Sequence, residues 1–136
     1  MKTTQLLVLG ILICCSSPVL AAKAQPRVVS LHVEKLADGT HWMPKEIEVK
    51  QGEEIIFELT DKLEGMPLHG FTIEKLGIKE MVELNKTKKL PAKKIDLAPG
   101  NYDITCQFHP AHVKATLVVK PDPNAKTVDT KNQSKS

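Results

Sequence analysis

The chain has 136 residues, 41% of them hydrophobic and 4% aromatic, with 19 basic and 16 acidic side chains. That length allows one small domain, and a formal net charge of +3 is too weak to supply the basic field that grips nucleic acid. The chain has no internal repeat, no glycine-rich phosphate loop and no long amphipathic helix, which argues against nucleotide-dependent chemistry and against docking into a membrane or partner groove.

Residues 1–24 combine Lys2, an apolar core over 6–13 and a small-residue stretch over 16–24. This is the layout of a secretory signal peptide. A membrane span needs about 20 apolar residues, and this run is interrupted by Ser16, Ser17 and Pro18. The expectation is export to the periplasm or the medium, with cleavage after 21–24 and no stable membrane insertion afterwards. Acylation of Cys14 or Cys15 is the alternative; against it stand the bulky Ile11, Leu12 and Ile13, where small residues would be expected. Loss of the leader takes Lys2 and Lys23 from the 19 basic residues, leaving 17 against 16 acidic ones. It also takes two of the three cysteines and leaves Cys106 in a compartment where thiols are oxidised. A disulfide within the mature chain is then impossible. Cys106 becomes a metal ligand, a reactive thiol, an intermolecular bridge or an inert buried side chain.

The mature chain shows strand-type periodicity in short runs rich in Val, Ile, Phe and Thr. Strands are predicted over 27–33, 46–49 and 54–60, with Gln51-Gly52 turning between the last two. Further strands are predicted over 70–74, 93–97, 102–107 and 114–120, with Pro99-Gly100-Asn101 punctuating the 93–97 and 102–107 runs. The sequence KEMVEL over 79–84 suggests a single helical turn. Residues 121–136 form a polar tail without the apolar side chains needed to fold, so residues 25–120 make up the folded domain. About seven short strands in that span indicate an all-β, two-sheet antiparallel sandwich.

In Cys106-Gln107-Phe108-His109-Pro110-Ala111-His112 a thiol precedes one imidazole by three residues and another by six. Soft sulfur and two imidazoles in one short loop suggest copper or zinc. Loops of a sandwich gather at one end, so a further ligand is expected at the start of a neighbouring strand. His69, in Pro67-Leu68-His69-Gly70-Phe71, lies at such a place, and Gly70 lets the backbone approach closely. Glu64 and Met66, a few residues before His69, fit a solvated charge and a loop contact better than a fifth ligand. His32 and His41 are expected to be surface or packing residues, and Trp42 to cover one end of the core.

The chain resembles the cupredoxin family over nearly the whole exported domain. The run Met43-Pro44-Lys45-Glu46-Ile47-Glu48-Val49-Lys50-Gln51-Gly52-Glu53-Glu54-Ile55-Ile56-Phe57 is similar to the family's entry strands. His69-Gly70-Phe71-Thr72-Ile73 is similar to its first-histidine motif, and Gly100-Asn101-Tyr102-Asp103-Ile104-Thr105-Cys106 to the strand that ends in its cysteine. The resemblance implies a Greek-key sandwich with one copper per chain, held by His69, Cys106 and His109 as equatorial ligands. The ligand loop resembles the short loop of amicyanin, in which an axial methionine stands in the place of His112. Red copper proteins of the nitrosocyanin type are similar at Gly70-Phe71-Thr72-Ile73-Glu74-Lys75-Leu76-Gly77-Ile78-Lys79-Glu80 and at Cys106-Gln107-Phe108-His109-Pro110, but have a glutamate ligand in the place of His69 and a later second loop histidine, so this chain combines Cys106 with three histidines, His69, His109 and His112. A binuclear centre like that of cytochrome oxidase subunit II needs a second loop cysteine, and residues 107–111 contain none.

The implied function is an exported one-electron carrier exchanging electrons with redox partner proteins, its site made unusual by His112. The alternatives are a red-copper-type catalyst binding a small molecule such as nitric oxide or a reactive oxygen species, and a copper delivery or storage protein. Zinc is the rival metal, since it accepts the same ligands.

Overall fold

The computed structural model describes residues 25–109 and 113–123. Among these residues nine strands and one short 3-10 helix follow each other in the order β1 (Arg27–Leu36), β2 (Gly39–Lys50), β3 (Glu54–Thr60), β4 (Leu68–Ile73), the helix η1 (Glu74–Leu76), β5 (Ile78–Glu83), β6 (Thr87–Lys89), β7 (Lys93–Lys94), β8 (Gly100–Thr105) and β9 (Val113–Lys120). Alternation explains most of them. Val29, Leu31 and Val33 of β1, Ile55, Phe57 and Leu59 of β3, and Ala115, Leu117 and Val119 of β9 are buried while their neighbours face outward.

Hydrogen bonds connect the strands in the order β5-β4-β8-β9-β2-β1-β3-β6, with β7 also on β3. β2 is the fold line between two layers. Its first half pairs with β1 from Gly39 to Met43 and, at Thr40 and His41, with the start of β9; its second half pairs with β9 from Glu46 to Lys50. The inward phase changes along it, from Trp42 to Ile47 and Val49, and a register shift between His41 and Glu46 absorbs three extra residues on the β2 side. Pro44, which has no N–H to give a ladder, falls in that interruption, and the Met43–Pro44 peptide is cis. The core lies between the layers. Trp42 meets Phe71 edge-on with ring centres 5.4 Å apart, and Phe57 packs at a tilt against the same ring.

The expected all-β sandwich is what the chain forms, with differences in detail. Among the described residues there are nine strands instead of about seven, and β1 pairs with β3, and β2 with β9, in parallel. Of residues 79–84, expected to make a helical turn, 79–83 run instead through β5, paired antiparallel with β4, and Leu84 begins the turn that follows. Val82 faces inward and Met81 outward, which is the alternation of a strand. Local propensity of Glu, Met and Leu gave way to an unpaired edge of β4 needing partners for its backbone. The β1–β2 hairpin extends through Asp38-Gly39, with Gly39 at φ 130°, a conformation that favours glycine.

Candidate metal centre

β4 carries His69 and Gly70, and β8 delivers Cys106 at its exit. The two strands pair through Thr72 and Thr105. Phe71 and Cys106 are the next residues along each strand toward the loop, and His69 lies two residues before Phe71. Alternation therefore sets His69, Phe71 and Cys106 on one inward face, and all three are no more than 1% exposed.

The thiol of Cys106 is tied to the neighbouring strand. The backbone N–H of Gly70 donates to Cys106 Sγ at 3.2 Å, and the Gly70 carbonyl accepts from Trp42 Nε1 at 3.0 Å. Gly70 is required by crowding. A Cβ there would fall against the side-chain amide of Gln107 and within 2.9 Å of the Gln107 backbone nitrogen. Gln107 in turn accepts from Thr72 Oγ1 at 2.8 Å and donates through Nε2 to the Glu80 carbonyl at 3.0 Å. The residue after the cysteine is thus stitched to β4 and β5, and this side-chain bonding fixes the start of the ligand loop.

His69 is held as firmly. Its Nδ1 lies 2.7 Å from Asp61 Oδ2, and both side chains are almost wholly buried. The other carboxylate oxygen of Asp61 accepts from the Leu63 N–H at 3.0 Å. The backbone of Asp61 is pinned as well, by Asp61 N–H to the Lys86 carbonyl and Asn85 N–H to the Asp61 carbonyl. The second ring nitrogen, Nε2, is buried with no hydrogen-bond partner among the described residues. A buried polar atom is normally satisfied, so an orphan facing the interior is where a missing ligand is expected. The residues present therefore fit a metal: a buried thiol and a buried imidazole nitrogen without a proton partner, on one face of adjacent strands.

Of the other expected ligands, His109 is exposed on the loop that leaves β8. His112 lies outside the described residues. Among the described residues no three His, Cys, Asp or Glu side chains gather at one point. Met66 is half-buried and, with Glu64, lines a shallow depression bordered by Thr40 and Lys35. His32 is exposed beside Glu34, and His41 is bound to Asp38 and to the Lys114 carbonyl. Both sit where surface or packing residues were expected. Asp61 is the participant that sequence reasoning missed. Between Thr60 and Lys62, at the end of an apolar run, it resembles an ordinary turn residue; only its burial distinguishes it.

The model of the cupredoxin-like domain family matches residues 5–119 of the chain. No curated protein matches it. Similar solved structures include the copper nitrite reductase of Nitrosomonas europaea, at 16% identity and a TM-score of 0.59 over 73% of this chain and 43% of that one. Auracyanin A, a "blue" copper protein from Chloroflexus aurantiacus, gives 12% identity and a TM-score of 0.55 over 71% of this chain and 100% of its own. The metal binding domain of the Streptococcus pneumoniae Cu(I) exporting P-type ATPase CopA gives 13% and 0.53 over 72% and 91%. At these identities the likeness is one of fold.

Proposed function

Because the chain belongs to the cupredoxin-like domain family, we propose that it is an exported protein that holds one copper ion through His69, Cys106, His109 and His112 and carries single electrons between redox partner proteins. The observation that carries this reading is the inward pair on β4 and β8: a buried thiol, and an imidazole nitrogen with no hydrogen-bond partner among the described residues. Copper in a thiolate and imidazole site interconverts between Cu(I) and Cu(II).

The chain's own part is to keep the donors still. Gly70, Gln107 and Asp61 fix Cys106 and His69 through backbone and buried side-chain hydrogen bonds. Donors that do not move between oxidation states keep the cost of electron transfer low. Phe71 and Trp42, both fully buried and in ring contact beside Gly70, exclude water from the same end of the core. His109, exposed on the loop, offers an edge toward a partner. Imidazole from His112, in the place where amicyanin has a thioether, would be a stronger donor and would favour Cu(II), lowering the potential.

Copper loading of the mature chain tests the reading. Wild type is expected to give a thiolate-to-copper charge-transfer band and reversible voltammetry, and Cys106→Ser to abolish the band. Retention of colour in Cys106→Ser sinks the copper-thiolate proposal. Metal analysis of protein from its native compartment that finds zinc in stoichiometric amount removes the carrier function. His112→Met is expected to shift the spectrum toward blue, and an unchanged spectrum removes His112 from the ligand set.

A further inference from the structure

We infer that the free edge of β5 is a self-association surface: two copies of this chain pair β5 with β5, antiparallel about Met81, so that Lys79 of each copy faces Glu83 of the other. The inference goes beyond the copper reading and does not depend on it.

The strand order ends at β5, which has β4 on one side and no strand on the other among the described residues. Which backbone groups face that open side follows from Gly70, which stands opposite Met81. Gly70 gives its N–H to Cys106 Sγ and its carbonyl accepts from Trp42 Nε1, so it offers neither group to Met81. In an antiparallel ladder such a pair is a non-hydrogen-bonded one. The N–H and carbonyl of Met81 therefore point away from β4, and by alternation those of Lys79 and Glu83 do the same. Two contacts reach this edge from the same copy. The Lys88 ammonium donates to the Met81 carbonyl at a long 3.4 Å while bonding Glu80 Oε2 at 2.6 Å, and the Lys86 N–H donates to the Glu83 carbonyl. Neither occupies the Met81 N–H.

Exposed edges are commonly guarded by charges that repel a second strand. β6, at the other end of the strand order, has that guard: Thr87, Lys88 and Lys89 are all exposed, and its charges are all positive. β5 is different. Its outward side chains are Lys79, Met81 and Glu83, all exposed, with Met81 at 52%. Turned about a two-fold axis at Met81, this run is complementary to itself: Met81 meets Met81, and opposite charges meet on both sides of it. Other registers lose the match. An axis at Glu80 sets two carboxylates against each other, one at Val82 puts Glu83 opposite Met81, and one between residues sets outward side chains against inward ones. A depression of about 330 Å³ bordered by Met81, Glu83 and Lys88 lies beside the edge, so β6 does not close over it. A second copy of β5 satisfies the free backbone groups and extends the sheet from one molecule into the next.

Sedimentation of the purified protein over a concentration series tests this. Wild type is expected to pass from monomer to dimer as concentration rises. Lys79→Glu sets acid against acid on both sides of the axis, and Glu83→Lys sets lysine against lysine; each is expected to weaken the dimer by about tenfold or more. Mixed together, the two variants are expected to form a heterodimer of near wild-type affinity. In it the introduced acid of one copy faces the introduced lysine of the other, and Glu83 of the first faces Lys79 of the second. The double variant Lys79→Glu/Glu83→Lys is expected to dimerise by itself. Both positions are exposed, so the circular dichroism of each single variant should match wild type.

A wild type that stays monomeric at every concentration, a dimer indifferent to both reversals, or single variants that fail to recombine overturns the inference and leaves the copper reading standing. Should a reversal disturb the fold, hydrogen exchange of wild type decides. Protection of the Met81 amide that rises with protein concentration supports the pairing, and protection independent of concentration refutes it.

Discussion

Gly70 is where sequence, packing and the candidate site meet. It has an ordinary φ, so its requirement is for space and not for a left-handed backbone. Its N–H bonds Cys106, its carbonyl bonds Trp42, and the space a Cβ would take is filled by Gln107. Gly70→Ala must push the Gln107 backbone outward, and overpacking of this kind costs about 1–3 kcal/mol. Chemical denaturation should register that loss. The copper-loaded variant should also show a shifted charge-transfer band, because the displaced segment carries Cys106; an unchanged stability and spectrum would mean that the loop yields freely.

At the scale of elements, β5 is the instructive case. KEMVEL carries helix-favouring residues, yet it runs along β4 as a strand, with His69 opposite Val82 and Gly70 opposite Met81. A strand places Val82 and Met81 on opposite faces, at 1% and 52% exposure. Val82→Ala should therefore cost about 1–3 kcal/mol through lost burial beside His69, while Met81→Thr should stay within about 0.5 kcal/mol of wild type. Equal losses at both positions would contradict the register. The apolar alternation of the 27–33, 54–60 and 114–120 runs was legible without coordinates because each has one wet and one dry face. The β5 segment was not, because Glu80, Met81 and Glu83 do not signal which side an adjacent strand will cover. Nor was β6, three exposed residues held on β3 by backbone pairing and a hydroxyl contact between Thr60 and Thr87.

The whole molecule is closed by β2 passing from one layer to the other, and a charged clamp ties the end away from the candidate site. Arg27 Nε donates to Glu53 Oε1 at 2.6 Å, its terminal nitrogen to the Glu48 carbonyl at 2.9 Å, and Glu53 also accepts from the Lys50 N–H at 2.8 Å. The hydrogen bond from Arg27, reinforced by the Lys50 N–H and opposed by partial burial, holds the Glu53 carboxyl below the usual carboxylate range. Its folded-state pKa is thus lower than in the unfolded chain, and its stabilisation is full above the unfolded value and lost as pH falls through the folded one. Both groups are partly solvated, so the effect is within about 1 kcal/mol. Glu53→Gln should lower stability at neutral pH by that order and flatten the acid limb of a stability-against-pH curve; parallel curves would show that the clamp contributes nothing.

The sequence by itself determined the fold class, through period-two alternation, and pointed to a candidate donor set through the spacing of Cys106, His109 and His112. It also marked His69-Gly70 as the place where a second strand contributes. These features are local, and local order is written in neighbouring residues. What only the tertiary structure decided is relational. Asp61 sits eight residues from His69 and Gln107 thirty-seven from Gly70, and no local pattern foretells that the first will be buried against an imidazole or that the second will fill a missing side chain's space. Burial converts an unremarkable aspartate into a fixed acceptor, because inside a protein a carboxylate must find donors and, once it has found them, dictates where their protons stay.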